Sequence, residues 1–275
     1  MIPPVVDADF VADHPEAVLV DVRWYLDGRD GFAAYRDAHL PGARWVDLEI
    51  GLAAHGLPAT EGRHPLPTPQ VFAQAMSELG ISDDSLVVAY DDTGGITAGR
   101  LVFMLRILGV DAALLDGGLK AWTGPVEAGV GQPPDTPGRF TDRPWPAERF
   151  ASADQAAAAA AKGHPVIDAR SYDRFTGAVT MVDPVPGHIP GARSAPATDV
   201  FAGDGRFKPV DELRAHYTAR GIDESSEVIA SCGSGVSACV NILALEHAGL
   251  ASARLYVGSW SGWSADPERP AALGV

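Results

Sequence analysis

The chain has 275 residues, a formal net charge of −15 and only two cysteines. Such acidity disfavours nucleic acid and anionic membranes as partners, although a local basic pocket can still hold an anionic substrate. Two cysteines argue against a disulfide scaffold and suit a reducing compartment, the cytoplasm by default. The N-terminal Met1-Ile2-Pro3-Pro4-Val5-Val6-Asp7 has no basic region followed by an apolar core, so no signal peptide is expected. No apolar run approaches the ~20 residues of a membrane span.

In chain order, Val18-Leu19-Val20 reads as a short strand closing on Asp21-Val22-Arg23, and His39-Leu40-Pro41-Gly42-Ala43-Arg44 follows as a turn. Residues 70–79 carry a helical pattern. The apolar run Leu86-Val87-Val88-Ala89-Tyr90 then leads through a Gly-containing loop, Asp91-Asp92-Thr93-Gly94-Gly95-Ile96-Thr97, into an apolar helix ending at Gly109. Leu115-Asp116-Gly117-Gly118 and Trp122 close this half. Residues 123–149 hold Pro125, Pro133, Pro134, Pro137, Pro144 and Pro146, a density that opposes helix and most sheet and predicts an extended linker. The alanine run 156–161 predicts a helix, alanine being the best helix former.

The pattern then repeats. Asp168-Ala169-Arg170 follows Val166-Ile167, and His188-Ile189-Pro190-Gly191-Ala192-Arg193 matches the earlier turn. Residues 210–220 are helical in pattern. Val228-Ile229-Ala230-Ser231 leads into Cys232-Gly233-Ser234-Gly235-Val236-Ser237 and a helix ending at Gly249, and Tyr256-Val257-Gly258-Ser259 with Trp263 closes the copy. Four ordered matches establish an internal duplication. The domains are expected at 1–123 and 150–275, joined by a Pro-rich linker at 124–149. Short strands alternating with helices predict α/β units, each built on a mostly parallel sheet flanked by helices. The site is expected beyond the strand ends, at the Cys232 loop, in a cleft between the two copies.

That loop carries the chemistry. Glycines at its second and fourth positions let the backbone curl so that several N–H groups point at one atom. The helix start adds partial positive charge, which favours thiolate over thiol. Cys239 lies about 10 Å further on at helical rise, too far for an unstrained disulfide, and is read as a packing residue. Cysteine phosphatases and arsenate reductases need an arginine six residues after the cysteine, and Ala238 stands there, unable to grip phosphate oxygens.

The tandem Asp-x-Arg, the paired His-x-Pro-Gly-Ala turns, the Cys loop and the Gly-Ser-Trp segment resemble the two-domain rhodanese, or sulfurtransferase, family over about residues 18–263. The Cys232 loop is similar to the Cys-Gly-Ser-Gly-Val-Thr loop of 3-mercaptopyruvate sulfurtransferases, and it lacks the Arg and Lys more usual in thiosulfate enzymes. The resemblance implies tandem rhodanese-like domains. It implies transfer of sulfane sulfur from 3-mercaptopyruvate or thiosulfate to a thiol or cyanide, through a Cys232 persulfide and with no metal or organic cofactor. The alternative is a non-catalytic tandem serving as an interaction or regulatory module.

Residue by residue, the resemblance implies that Gly233, Gly235, Val236 and Ser237 cradle the sulfur. It implies that Arg174 binds the donor's anionic group, and that Ser234, His64 and Glu49 form a relay, with Glu49 where the family pattern has Asp. Asp91 stands at the cysteine position of the first copy, which is therefore expected to be catalytically silent. Mercaptopyruvate enzymes usually carry a second arginine before Gly-His-Ile-Pro-Gly, whereas residues 177–186 here contain none. Asp168, Arg170 and His188 are assigned to structure, because both copies have their counterparts.

Overall fold

The structure, a computed structural model, describes residues 1–274, and these divide into two compact units. The first comprises Met1–Ala54, Leu66–Trp145 and Gly203–Phe207, and the second His55–Pro65, Pro146–Ala202 and Lys208–Val275. Each unit therefore takes one segment from the other half of the sequence.

The sheet of the first unit contains β1 (Val5–Val6), β2 (Val18–Asp21), β3 (Arg44–Trp45), β4 (Leu86–Tyr90) and β5 (Asp111–Leu115), in the order β1-β5-β4-β2-β3. Every pairing in it is parallel. The second sheet contains β6 (Val166–Asp168), β7 (Arg193–Ser194), β8 (Val228–Ser231) and β9 (Ala253–Leu255), again all parallel, in the order β7-β6-β8-β9. Read from the other edge, this is the first sheet without β1. A parallel bridge between Phe150 and Leu255 takes the place of the β1 pairing. The duplication seen in the sequence is thus a duplication of topology.

Parallel strands need crossovers, and the helices that supply them cover the sheets. Their starts are written locally. Thr68 caps the helix Pro69–Glu78 through Val71 N, with proline at the position where a missing N–H costs nothing. Ser152 and Gln155 form a reciprocal capping box on the helix Ala153–Ala161, so the alanine run is a helix as expected. The central strands β4 and β8 are buried on both faces, which is why their sequences read as continuous apolar runs. Tyr90, Val88 and Leu115 pack in the first core, and Trp260, Trp263, Ile229 and Ala156 in the second.

The proline-rich stretch is extended and ordered against the first unit as far as Trp145. Phe140 meets the ring of Phe72 edge-on, and Trp145 Nε1 donates to the Pro67 carbonyl at 2.9 Å.

Matching ion pairs stand at the ends of β2 and β6. Arg23 Nη2 lies 2.7 Å from Asp21 Oδ2, and Arg170 Nη2 lies 2.7 Å from Asp168 Oδ2, all four side chains being buried. Each arginine also donates to the chain just before a His-x-Pro turn, at Ala38 O and Gly187 O. His39 and His188 stack on Tyr35 and Phe175 respectively. Burial pushes His188 below its ordinary value. Burial also works against the charge on Arg170, but Asp168 and Asp183 outweigh it and hold the guanidinium above its usual range.

Candidate active site

The buried strand β8 ends at Ser231, and the helix Ala238–His247 begins seven residues later. Between them the chain wraps around the Cys232 sulfur. Gly235 N donates to Cys232 Sγ at 3.1 Å and Ser234 N at 3.5 Å. Gly235 has φ +74°, and a Cβ there would come within 2.6 Å of the Val257 carbonyl oxygen. The position requires glycine on both counts.

The Gly-Ser-Trp segment fastens this loop from the other side. Cys232 N donates to Ser259 Oγ at 3.0 Å, and Ser259 Oγ donates in turn to Tyr256 O. The carbonyls of Cys232 and Gly233 accept from Trp260 N and Ser261 N, both at 2.9 Å. Ser259 takes a left-handed φ of +49° to do this. Cys239, fully buried, donates its thiol to Gly235 O at 3.4 Å, which fits the packing role expected of it.

The first unit holds an internal comparison. Its corresponding loop follows β4, and the Asp91 carboxylate fills it. Oδ1 accepts from Thr93 N, Thr93 Oγ1 and Gly95 N, and Oδ2 from Thr97 N, Thr97 Oγ1 and Ala98 N. The loop is therefore an anion cradle by construction. In the first unit the anion is part of the chain, whereas in the second the matching place is held by a thiol with fewer donors on it.

Charged groups converge on the second loop. A Cβ at Gly233 would lie 2.9 Å from Arg174 Nη2 and 3.0 Å from Arg63 Nη2, so both guanidiniums stand beside the cysteine loop. They share Asp183: Arg174 Nε donates to Oδ2 at 2.9 Å, Arg63 Nη1 to Oδ1 at 3.1 Å, and Arg170 Nη1 reaches Oδ2 at 3.4 Å. Asp183 is buried.

His64 is buried in the second unit, its Nδ1 2.7 Å from Ser234 Oγ. The segment bearing it is anchored where Arg63 N donates to Ser261 Oγ at 3.0 Å. Glu49 belongs to the first unit, where its Oε1 accepts from Trp24 Nε1 at 3.0 Å. The second unit accordingly brings together Cys232, Gly233, Ser234, Gly235, Val236, Ser237, Arg174 and His64.

Sequence reasoning missed Arg63 and Asp183. Arg63 left one signal, a basic residue adjoining His64 in Gly62-Arg63-His64. Asp183 left none, lying in a segment noted only for its lack of arginine.

Residues 8–125 and 152–266 each match the Rhodanese-like domain family. A Pseudomonas aeruginosa protein named "Probable 3-mercaptopyruvate sulfurtransferase" is 41% identical over 271 residues, covering 94% of this chain and 93% of the relative. The 3-mercaptopyruvate sulfurtransferase of Escherichia coli K12 is 36% identical over 279 residues, covering 96% of both chains. The crystal structure of SseA, a 3-mercaptopyruvate sulfotransferase from Escherichia coli, superposes with a TM-score of 0.82 at 33% identity, covering 94% of this chain and 99% of that one. The duplicated parallel sheets, the loop thiol and these likenesses agree: the chain belongs to the rhodanese family, as a two-domain sulfurtransferase.

Proposed function

We propose that this sulfurtransferase carries sulfur on Cys232 and takes it by preference from 3-mercaptopyruvate, with thiosulfate as the lesser donor. The observation behind this reading is the pair of loop N–H groups on Cys232 Sγ, set beside the Asp91 carboxylate that saturates the matching loop. A cradle that satisfies a two-atom anion in one copy suits a persulfide anion in the other. The N–H groups of Ser237 and Ala238 correspond to those that Thr97 and Ala98 give to Asp91 Oδ2, and they are available to an outer sulfur. A carboxylate cannot carry sulfane sulfur, so the first copy is silent.

The Cys232 thiolate attacks the donor sulfur and forms the S–S bond. The donor's C–S bond breaks, and its electron pair passes to the organic fragment, which leaves as the enolate of pyruvate and takes up a proton. Arg174 holds the donor carboxylate. The Ser234 hydroxyl, backed by His64, gives a hydrogen bond where negative charge develops on the keto oxygen. Glu49 as the acid of the relay rests on the resemblance alone. A thiol acceptor, or cyanide, then attacks the outer sulfur, takes it and releases the Cys232 thiolate. Sulfite is the leaving group when thiosulfate is the donor.

Among the described residues no helix is long and apolar enough to cross a membrane. Two free thiols support a reducing compartment such as the cytoplasm. The net charge of −15 disfavours nucleic acid, whereas the Arg174 and Arg63 guanidiniums beside the cysteine loop support a small anionic substrate.

Steady-state turnover of 3-mercaptopyruvate and of thiosulfate, each with cyanide and with a small thiol, tests the reading. The expected result is a higher kcat/KM for 3-mercaptopyruvate, a mass gain of one sulfur on the peptide bearing Cys232, and loss of all transfer in Cys232→Ser but not in Cys239→Ser. Turnover by Cys232→Ser comparable to the unaltered protein overturns it.

A further inference from the structure

The second unit holds a cavity of about 320 Å³ that the sulfur chemistry does not use. Its lining includes Tyr256, Val257 and Gly258, which lead into Ser259, and Thr60 and Glu61, which lead into Arg63 and His64. The two stretches touch. A Cβ at Gly62 would lie 2.6 Å from the Gly258 carbonyl oxygen, and one at Gly262 would lie 2.6 Å from that of Thr60. The cavity is therefore built where the segment bearing His64 meets the segment that fastens Cys232.

Tyr256 is the buried polar group of that wall. It is only 4% exposed, and among the described residues its hydroxyl has no hydrogen-bond partner. A buried hydroxyl left unpaired is unfavourable, and a ligand that pairs it relieves the cost. The charges acting on the phenol are Arg269, Glu61, Asp154 and Asp266, the same four that line the cavity, so the hydroxyl faces the cavity rather than the core. Burial pushes the phenol up to about 12, so it stays neutral and its oxygen is free to accept.

Three carboxylates in this wall stand against one guanidinium, and that guanidinium is already engaged. Arg269 Nη2 donates to Asp154 Oδ1 at 2.7 Å, its Nε faces Asp266 Oδ2 at 3.3 Å, and the group lies over the Trp263 ring, 4.9 Å from the centroid. Among the described residues the Glu61 carboxylate has no ion pair. The wall thus carries a surplus of two negative charges, which repels anions and attracts a dication. The volume is far more than a bare ion fills, and Ala151, Val257 and the Tyr256 ring make part of the wall apolar. An aliphatic body with an ammonium group at each end matches all of this, since an ammonium brings three donors and no acceptor.

We propose that this cavity binds a small aliphatic diamine as its diammonium ion. One end donates to the Tyr256 hydroxyl oxygen and the Glu61 carboxylate, and the other is held by the surplus charge of Asp154 and Asp266. Bound there, the diamine ties residues 60–62 to residues 256–258 and steadies both the His64 segment and the anchor of the cysteine loop. The site is separate from donor binding and does not depend on which donor the enzyme prefers.

The test uses the full-length protein with cadaverine at fixed ionic strength. Tm should rise with cadaverine and saturate, as it does for a ligand of the folded state alone. Pentanediol, which lacks the charge, and tetramethylammonium, which lacks the N–H donors, should not reproduce the rise. Tyr256→Phe keeps every charge and the ring, and removes only an oxygen that bonds nothing in the free protein. Its own Tm should stay close to that of the unaltered protein, while the half-saturating cadaverine concentration rises about tenfold, the worth of one charge-assisted contact. Glu61→Gln, at an exposed position, should raise it by about threefold, and it also serves if Tyr256→Phe does not fold. Cadaverine should slow hydrogen exchange in peptides covering 58–64 and 255–263, and should not do so in Tyr256→Phe at the same concentration. Absence of a saturable rise in Tm overturns the proposal. So does an unchanged half-saturating concentration in a folded Tyr256→Phe, or in Glu61→Gln where it stands in, the mark of diffuse attraction to an acidic protein. A lysine side chain carries the same ammonium group, and Nα-acetyllysine amide, a monocation, should bind more weakly than cadaverine. Tighter binding of the lysine amide would assign the cavity to a protein partner and overturn the small-molecule reading.

Discussion

His64 Nδ1 and Ser234 Oγ lie 2.7 Å apart although 170 residues separate them in the chain. The contact places an imidazole behind a hydroxyl of the cysteine loop, for Ser234 is also one of the two residues whose N–H points at Cys232 Sγ. A hydroxyl so backed can strengthen its hydrogen bond as a neighbouring oxygen gains charge.

His64→Ala and Ser234→Ala should each lower kcat for 3-mercaptopyruvate by about 10²-fold, the low end of what a positioned proton-transfer group supplies. The double variant should fall little further than either single one, because the two act as a unit. Thiosulfate turnover, which forms no enolate, should change by much less. Equal losses with both donors would assign the pair to loop architecture rather than to chemistry.

The segment His55–Pro65 packs within the second unit and carries both Arg63 and His64. Gly262 shows how close the fit is, since a Cβ there would lie 2.6 Å from the Thr60 carbonyl oxygen. A fragment beginning at Pro146 retains Cys232 and Arg174 but loses that segment, uncovering the Ser259–Trp263 helix that fastens the cysteine loop. It should melt at a lower temperature than the intact chain and lose most of its kcat/KM. Full kcat/KM from the isolated fragment would show the segment to be dispensable.

Both copies, their strands and the cysteine loop were legible because each is local. Period, apolar runs and glycine spacing set β4, β8 and the curl at Gly235, and the duplication made each half a check on the other. The pairing of Asp21 with Arg23 and of Asp168 with Arg170 spans only two residues, and the recurrence of Asp-x-Arg in both copies marked it as structural. The loop exchange was not legible. Nothing in Gly62-Arg63-His64 or in residues 203–207 states which sheet they pack beside, because that depends on contacts far away in sequence. Asp183 was invisible because its meaning arises only in the fold, where Arg170 and Arg174 from the same half of the chain and Arg63 from the other half meet it.

Arg174 contacts Asp183 with its Nε–Nη2 edge and stands beside Gly233. Arg174→Ala should reduce kcat/KM for 3-mercaptopyruvate by roughly 10- to 100-fold, equivalent to about 1.5–3 kcal/mol for a charge-assisted hydrogen bond. The loss should appear chiefly in KM and should erode the preference over thiosulfate. Lysine should rescue only in part. Asp183 keeps Arg63 and Arg170 as partners, so the fold should survive, which circular dichroism and Tm would check. An unchanged KM for both donors would remove Arg174 from the site.

The two loop glycines should respond differently to alanine, because what each would strike differs. At Gly235 the backbone is left-handed, at φ +74°, and the new methyl would press 2.6 Å from the Val257 backbone oxygen. Neither the φ nor that carbonyl can yield without unwinding the turn whose N–H groups point at Cys232 Sγ, the backbone conformation alone costing about 1–2 kcal/mol. Gly235→Ala should therefore lower Tm and abolish most transfer from every donor. At Gly233 the φ is not in the left-handed region, and the atoms in the way are the guanidinium ends of Arg174 and Arg63, which can swing aside. Gly233→Ala should leave Tm close to that of the unaltered protein and raise KM by displacing both arginines. Thermal melts and steady-state kinetics on the pair separate the turn from the anion site. If Gly235→Ala proved as active as the unaltered protein, the loop N–H groups would not be the cradle assigned to them.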